Sequence, residues 1–184
     1  MPTPGQLWGE IRQLGYVIPD GTLEQAVADW VKVRGVGPWY VVEHAPTVDF
    51  VHRGIPGHID FTFALAQAGS MQIELIVQHN DQASTYLEFL DATHRLGGLH
   101  HLAYWPTDMD TAYQEATELL GFELWSGGRI GPSGLFRYFL TQDHPGTVVE
   151  HANIRGASLD FFSELTERNR RFDPAVDDWY VTRR

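Results

Sequence analysis

Four side chains in this sequence carry donor atoms that suit one shared divalent cation. Gln13 and His101 each open an apolar strand pattern, and Glu74 and Glu150 sit in the middle of one. A carboxylate inside an apolar strand is costly unless its charge is compensated, and a cation does that directly. The four positions are not independent. Residues 13 and 101 are 88 positions apart, and at that offset "QLGYVIPD" lies over "HLAYWPTD" with Leu14/Leu102, Gly15/Ala103, Tyr16/Tyr104 and Asp20/Asp108 in register. If the two copies enclose a common cleft, repeat symmetry sets Gln13 opposite His101 and Glu74 opposite Glu150. One amide oxygen, one imidazole and two carboxylates suit Zn, Ni, Co, Mn or Fe and leave positions for water and substrate. A closed structural zinc site is a poor match to one histidine without thiolates. The chain has no cysteine, which also excludes disulfides and a cysteine nucleophile.

The elements that must position these residues follow the same duplication. After each copy comes a helical pattern, "TLEQAVADWVKVRG" with Leu23, Val27, Trp30 and Val31 in phase, and "DTAYQEATELLG" with Tyr113, Ala116, Leu119 and Leu120 in phase. Asp20 and Asp108 are candidate caps, in competition with Thr22 and Asp110, and Gly35 and Gly121 are the stops. Three strand patterns follow each helix: "GPWYVVEH", "DFTFALAQ" and "SMQIELIVQH" in the first copy, "FELWSGGRI", "LFRYFLTQD" and "GTVVEHANI" in the second. Pro56 with Gly57, Gly69, "GPSG" and "HPG" supply turns. The expected fold is therefore α+β: two paired βαβββ modules that form a curved mixed sheet around a metal-binding cleft. The modules span 1–80 and 98–153, joined by a linker helix in 81–97. An extra amphipathic helix, "ASLDFFSELTERNRRFDP", and a tail of no clear period occupy 154–184.

Strand alternation puts residues i and i+2 on one face. Gln13, Gly15 and Val17 then share a face, as do His101, Ala103 and Trp105, while His100 falls on the opposite face, in a packing or supporting hydrogen-bond role. His79, His144 and His151 fall at strand ends or turns and read as structural. Trp39, Phe63, Trp105, Trp125 and Tyr138 are candidate cleft walls, which would suit an apolar or aromatic substrate rather than a sugar phosphate. A net charge of −11 argues against non-specific nucleic-acid or anionic-membrane binding. No signal-peptide pattern opens the sequence and no apolar run approaches the roughly 18 residues of a membrane span, so a cytoplasmic protein is expected.

"QLGYVIPD", "QIELI", "GLHHLAYWPTD" and "HPGTVVEH" together resemble the vicinal oxygen chelate superfamily, also called the glyoxalase/bleomycin resistance protein/dioxygenase superfamily. The resemblance spans roughly residues 10–153. It is nearest to the branch of glyoxalase I and methylmalonyl-CoA epimerase, and it implies metal ligation by Gln13, Glu74, His101 and Glu150. That set is similar to the one in animal-type glyoxalase I; methylmalonyl-CoA epimerases usually carry histidine where this chain has Gln13, and extradiol dioxygenases need a second histidine. The resemblance implies an isomerase, epimerase or lyase acting on a small carbonyl substrate through an enolate or enediolate. Glu150 would be the base and Asp60, from a region that supplies an epimerase carboxylate, a second acid or base. A homodimer is common among such proteins. The alternatives are a ligand-sequestering resistance protein of the same fold and a metal-dependent dioxygenase or hydrolase.

Overall fold

A computed structural model describes residues 8–141 and 146–181. The turn residues His144 and Pro145 lie outside the described residues. The first half contains β1 (Ile11–Val17), α1 (Leu23–Arg34), β2 (Trp39–Val42), β3 (Thr47–His52), β4 (Ile55–Pro56), β5 (Phe61–Ala68) and β6 (Met71–Gln78). Helix α2 (Thr85–Ala92) leads to the second half: β7 (Gly98–Tyr104), α3 (Met109–Gln114) with a π-helical continuation over Glu115–Leu119, β8 (Glu123–Ile130), β9 (Gly134–Leu140) and β10 (Val148–Ala152). Helix α4 (Ala157–Arg171) and β11 (Tyr180–Val181) follow.

These strands join one curved sheet in the order β11-β2-β5-β6-β1-β7-β10-β9-β8-β3-β4. At its centre β1 and β7 run antiparallel, and each is flanked on its outer side by a parallel strand, β6 beside β1 and β10 beside β7. The two βαβββ units are thus related by a local twofold between β1 and β7, and the sheet is α+β and mixed, as expected.

The helices form where the apolar spacing demands them. In α1, Val27 and Val31 are buried one turn apart against the outer face of β5 and β6, where Ala64, Ala66, Ile73 and Leu75 meet them. Gly35 stops this helix at φ 64°, with its N–H directed to the carbonyls of Trp30 and Val31. Thr22 takes the N-cap position without capping, since its hydroxyl donates to Pro19. Asp108 does cap α3, accepting from the N–H groups of Asp110 and Thr111. A second outer core joins α3 to β9 and β10 through Ala112, Ala116, Phe139 and Val149. The inner core fills the concave side with Phe61, Tyr86, Leu90, Trp125, Tyr138 and Leu165. No helix among the described residues is long and apolar enough to cross a membrane.

Two elements depart from the sequence reading. The stretch around Pro56 and Gly57 is not a simple turn but the β3–β4 hairpin, closed by Arg53 and Gly54 at φ 50° and 77°. Its pattern is hidden because Asp49 adopts φ 53° at an irregularity between Val48 and Val51. β3 crosses from the first unit to pair with β8 of the second. The tail also contributes: β11 extends the opposite edge by pairing with β2.

Candidate metal centre

Strand register brings three of the four sequence candidates together. Gly15 of β1 is the Cα partner of Glu74 on one side and of His101 on the other, and Glu150 pairs one step along, opposite Ala103. Gly15 makes the arrangement possible. A Cβ there would lie 1.9 Å from His101 Cε1, so the imidazole occupies the space that a side chain on β1 would fill. From that position its Nε2 lies 3.4 Å from Glu74 Oε2 and 3.0 Å from Glu150 Oε2. One donor atom from each residue falls within 4.8 Å of the others, and all three side chains are buried.

The spacing fits a cation. With bonds of about 2.1 Å, neighbouring donors are about 3.0 Å apart in an octahedron and about 3.4 Å apart in a tetrahedron. His101 Nε2 and Glu150 Oε2 are also buried without an aligned hydrogen bond, although they are close neighbours. Buried polar atoms left this way are unusual, and a shared ion would satisfy both. The Gln13 amide nitrogen donates to Gln72 Oε1 at 2.7 Å, which leaves the Gln13 carbonyl oxygen as its metal-competent atom. Gln13 lines the same cavity as Glu74 and Glu150.

Without an ion the charges are balanced by a proton. Burial works against protonating His101, but the Glu150 and Glu74 carboxylates overcome it and push the imidazole up to about 9. Burial also raises Glu74, partly offset by His101 and reinforced by the charge of Glu150. His100 is driven well below the ordinary histidine range by burial and by its charged neighbour. A neutral His100 accepts from His101 Nδ1–H at 2.9 Å, so its own Nε2–H donates to Thr85 Oγ1 at 2.8 Å. This chain holds His101 with Nδ1 protonated and Nε2 directed at the carboxylates.

Strand alternation places His100 on the opposite face from His101, and the structure corrects this. Between Gly15/Tyr16 on β1 and His101/Leu99 on β7 the register shifts by one residue, so His100 is the extra residue of a β-bulge. Both imidazoles consequently pack against Tyr138.

A cavity of about 430 Å³ adjoins the carboxylates. Of the aromatic residues expected as its walls, Phe63 and Trp105 line it. Tyr138 sits behind the site, its ring 5.1 Å from that of His101 and its hydroxyl bonded to Tyr86. Trp39 lies on the outer face of β2, where its indole N–H donates to Val36, and its neighbour Tyr40 faces the cavity instead. Trp125 borders a larger, more open groove of about 740 Å³ that contains none of the three triad residues. Asp60 is held at the start of β5 by His44, 2.7 Å away, and is not brought to the triad. His79 bonds Asp20 and Thr62, and His151 is enclosed between Trp8 and Phe139. Sequence reasoning did not single out Gly15 as the space for His101, Thr85 as the support of His100, or Phe161 and Phe162 of α4, which close the cavity.

No curated protein matches the sequence. Among solved structures, the chain is similar to methylmalonyl-CoA epimerase from Mycobacterium tuberculosis, at 17% identity and a TM-score of 0.57, over 88% of this chain and 96% of that one. A second methylmalonyl-CoA epimerase is similar at 16% identity and a TM-score of 0.53, over 79% of this chain and 95% of that one. A hypothetical protein from Bacillus halodurans C-125 is similar at 13% identity and a TM-score of 0.55, over 80% and 95%. At such identities the likeness is one of fold. The sequence itself matches the model of a family over residues 12–139, from the start of β1 to the end of β9. With the paired βαβββ units, that match establishes that the chain belongs to the glyoxalase/bleomycin resistance protein/dioxygenase superfamily.

Proposed function

We propose that this protein is a divalent-metal-dependent enzyme of the epimerase or isomerase type, which moves a proton next to the carbonyl of a small substrate. The observation that carries this reading is the buried Glu74–His101–Glu150 triad beside the aromatic-walled cavity, its His101 Nε2 and Glu150 Oε2 close together without an aligned hydrogen bond. In this reading Gln13, Glu74, His101 and Glu150 hold the ion, and residues 1–80 and 98–153 are the two modules that supply them. Residues 81–97 link the modules, and 154–184 are the additional helix and tail, of which Phe161 and Phe162 line the cavity. A bound divalent cation supplies Lewis-acid polarisation of a carbonyl oxygen, which acidifies the adjacent C–H.

The chain's own groups do the rest. The Glu150 carboxylate takes the proton and returns it, a role its position at the cavity wall suits. Glu74 and His101 stay in place, His101 oriented through His100 and Thr85. The Glu150 proton exchanges with solvent between its removal and its return, so turnover in deuterium oxide labels the substrate C–H. Methylmalonyl-CoA epimerases share the fold, and an epimerase step is one form of this proton transfer.

The test is exchange of substrate C–H with deuterium oxide, followed by proton NMR on protein loaded with Ni, Co, Zn or Mn and using hydroxyacetone and 2-hydroxyacetophenone as probes. Metal-dependent exchange that disappears in Glu150→Gln is the expected result. Metal uptake with no exchange of either probe, or exchange retained in Glu150→Gln, would contradict the assignment. The sequestering alternative gives binding without exchange.

A further inference from the structure

Helix α4 lies outside the duplicated modules, yet it forms one wall of the cavity. Phe161 packs on Tyr40 of β2 with ring centroids 4.5 Å apart, and Phe162 packs on Trp105 at 5.2 Å with 34° between the planes. The helix is fixed by Leu165, which is 1% exposed in the inner core, and by Asn169, whose amide donates to Gly37 at 2.6 Å. Phe63 and Phe136 line the same cavity, so its lining is rich in aromatic rings. An aromatic wall of this kind favours a flat apolar body.

The polar groups narrow the class. The cavity's carboxylates, Glu74 and Glu150, disfavour an anionic ligand body. Arg155 is the lining cation, and its guanidinium already donates to the Thr107 carbonyl at the rim. At roughly half filling, the cavity holds a ligand of about a dozen non-hydrogen atoms.

We propose that the cavity binds a small uncharged aryl ketone or aryl hydroxyketone, with Phe161 and Phe162 as the specificity-determining wall. This deepens the proposed function, since the ligand's carbonyl end would face the triad, but the recognition itself needs no metal.

The experiment compares two probes with the same head group, 2-hydroxyacetophenone and hydroxyacetone, by calorimetric titration of the full chain with and without one equivalent of Ni. Burial of the phenyl ring should make the aryl probe bind at least about 30-fold tighter in both forms. Phe161→Leu and Phe162→Leu should each cut that preference by about fivefold. Circular dichroism and thermal melting of each variant establish that it is folded, and Phe162→Tyr, which keeps the ring, should retain the preference.

Equal affinity for the two probes, or a preference unaffected by the double Phe161→Leu, Phe162→Leu change in a folded variant, would overturn the proposal. So would displacement of the aryl probe by acetyl-coenzyme A at similar concentration, because it would place a polyanionic ligand in this space. The two readings fail separately: Ni that does not bind while the aryl preference persists sinks the metal assignment alone, and Ni that binds without any aryl preference sinks this one alone.

Discussion

Replacing Gly15 by alanine adds a single methyl group, and the structure gives it nowhere to go. Its Cβ would lie 1.9, 2.1 and 2.5 Å from three atoms of the His101 ring, whereas ordinary contact begins at 3.4 Å, so the ring must retreat by about 1.5 Å. His101 has no free direction to take: Glu74 and Glu150 stand at its Nε2, His100 at its Nδ1, and Tyr138 against its face. A shift of that size takes Nε2 out of reach of a bond of about 2.1 Å. Loss of a direct ligand should exceed the 10- to 100-fold that supporting residues typically contribute, so Ni or Zn affinity should fall at least about 100-fold. Overpacking should cost about 1–3 kcal/mol, which lowers the Tm of a chain of this length by roughly 2–12 °C. Calorimetric titration with Ni and thermal melting of the metal-free proteins measure the two effects. A Gly15→Ala variant that binds Ni within about threefold of wild type, with an unchanged Tm, would refute both the clash and the role of His101 as a ligand.

Thr85→Val removes the acceptor of His100 while keeping the shape of the side chain, and His100→Phe removes the relay altogether. Each should weaken metal binding by about 10- to 100-fold in the same titration. The pH dependence has a definite sign. Because the two carboxylates raise His101 to about 9 in the metal-free site, a cation must displace that proton, so apparent affinity should rise about tenfold per pH unit from roughly 6 to 9 and then level off. A flat profile across this window would contradict the protonated resting site. Away from the site, Asp108→Ala should lower the urea midpoint of unfolding through loss of the α3 cap, with metal affinity unchanged.

The duplication is legible because the chemistry and the fold repeat together. The 88-residue offset pairs Gln13 with His101, and the charged residues inside apolar strands point to Glu74 and Glu150. What stays hidden depends on departures from regular strand geometry. The His100 bulge puts both histidines on the inner side, and no alternation rule registers an extra residue whose partner strand is far away in sequence. Trp39 and Tyr40 are adjacent aromatics, so the pattern alone leaves open which one faces the cleft, and the pairing of Tyr40 with Leu65 decides it. Gly15 reads in sequence as a weak strand residue. Its importance arises only from the imidazole that crosses over it. The amphipathic spacing of α4 announces a helix, but its docking over the cavity rests on long-range contacts from Phe161, Phe162 and Asn169.

The central claim is that one ion is shared by residues from four strands, β1, β6, β7 and β10. An anomalous difference map from crystals soaked in Ni or Mn tests it most directly. A single strong peak within about 2.0–2.3 Å of Glu74, His101 and Glu150 donor atoms, with the Gln13 carbonyl oxygen turned toward it, is the expected result. No peak at this position, or an ion bound elsewhere while His101 remains held between its two carboxylates, would contradict it.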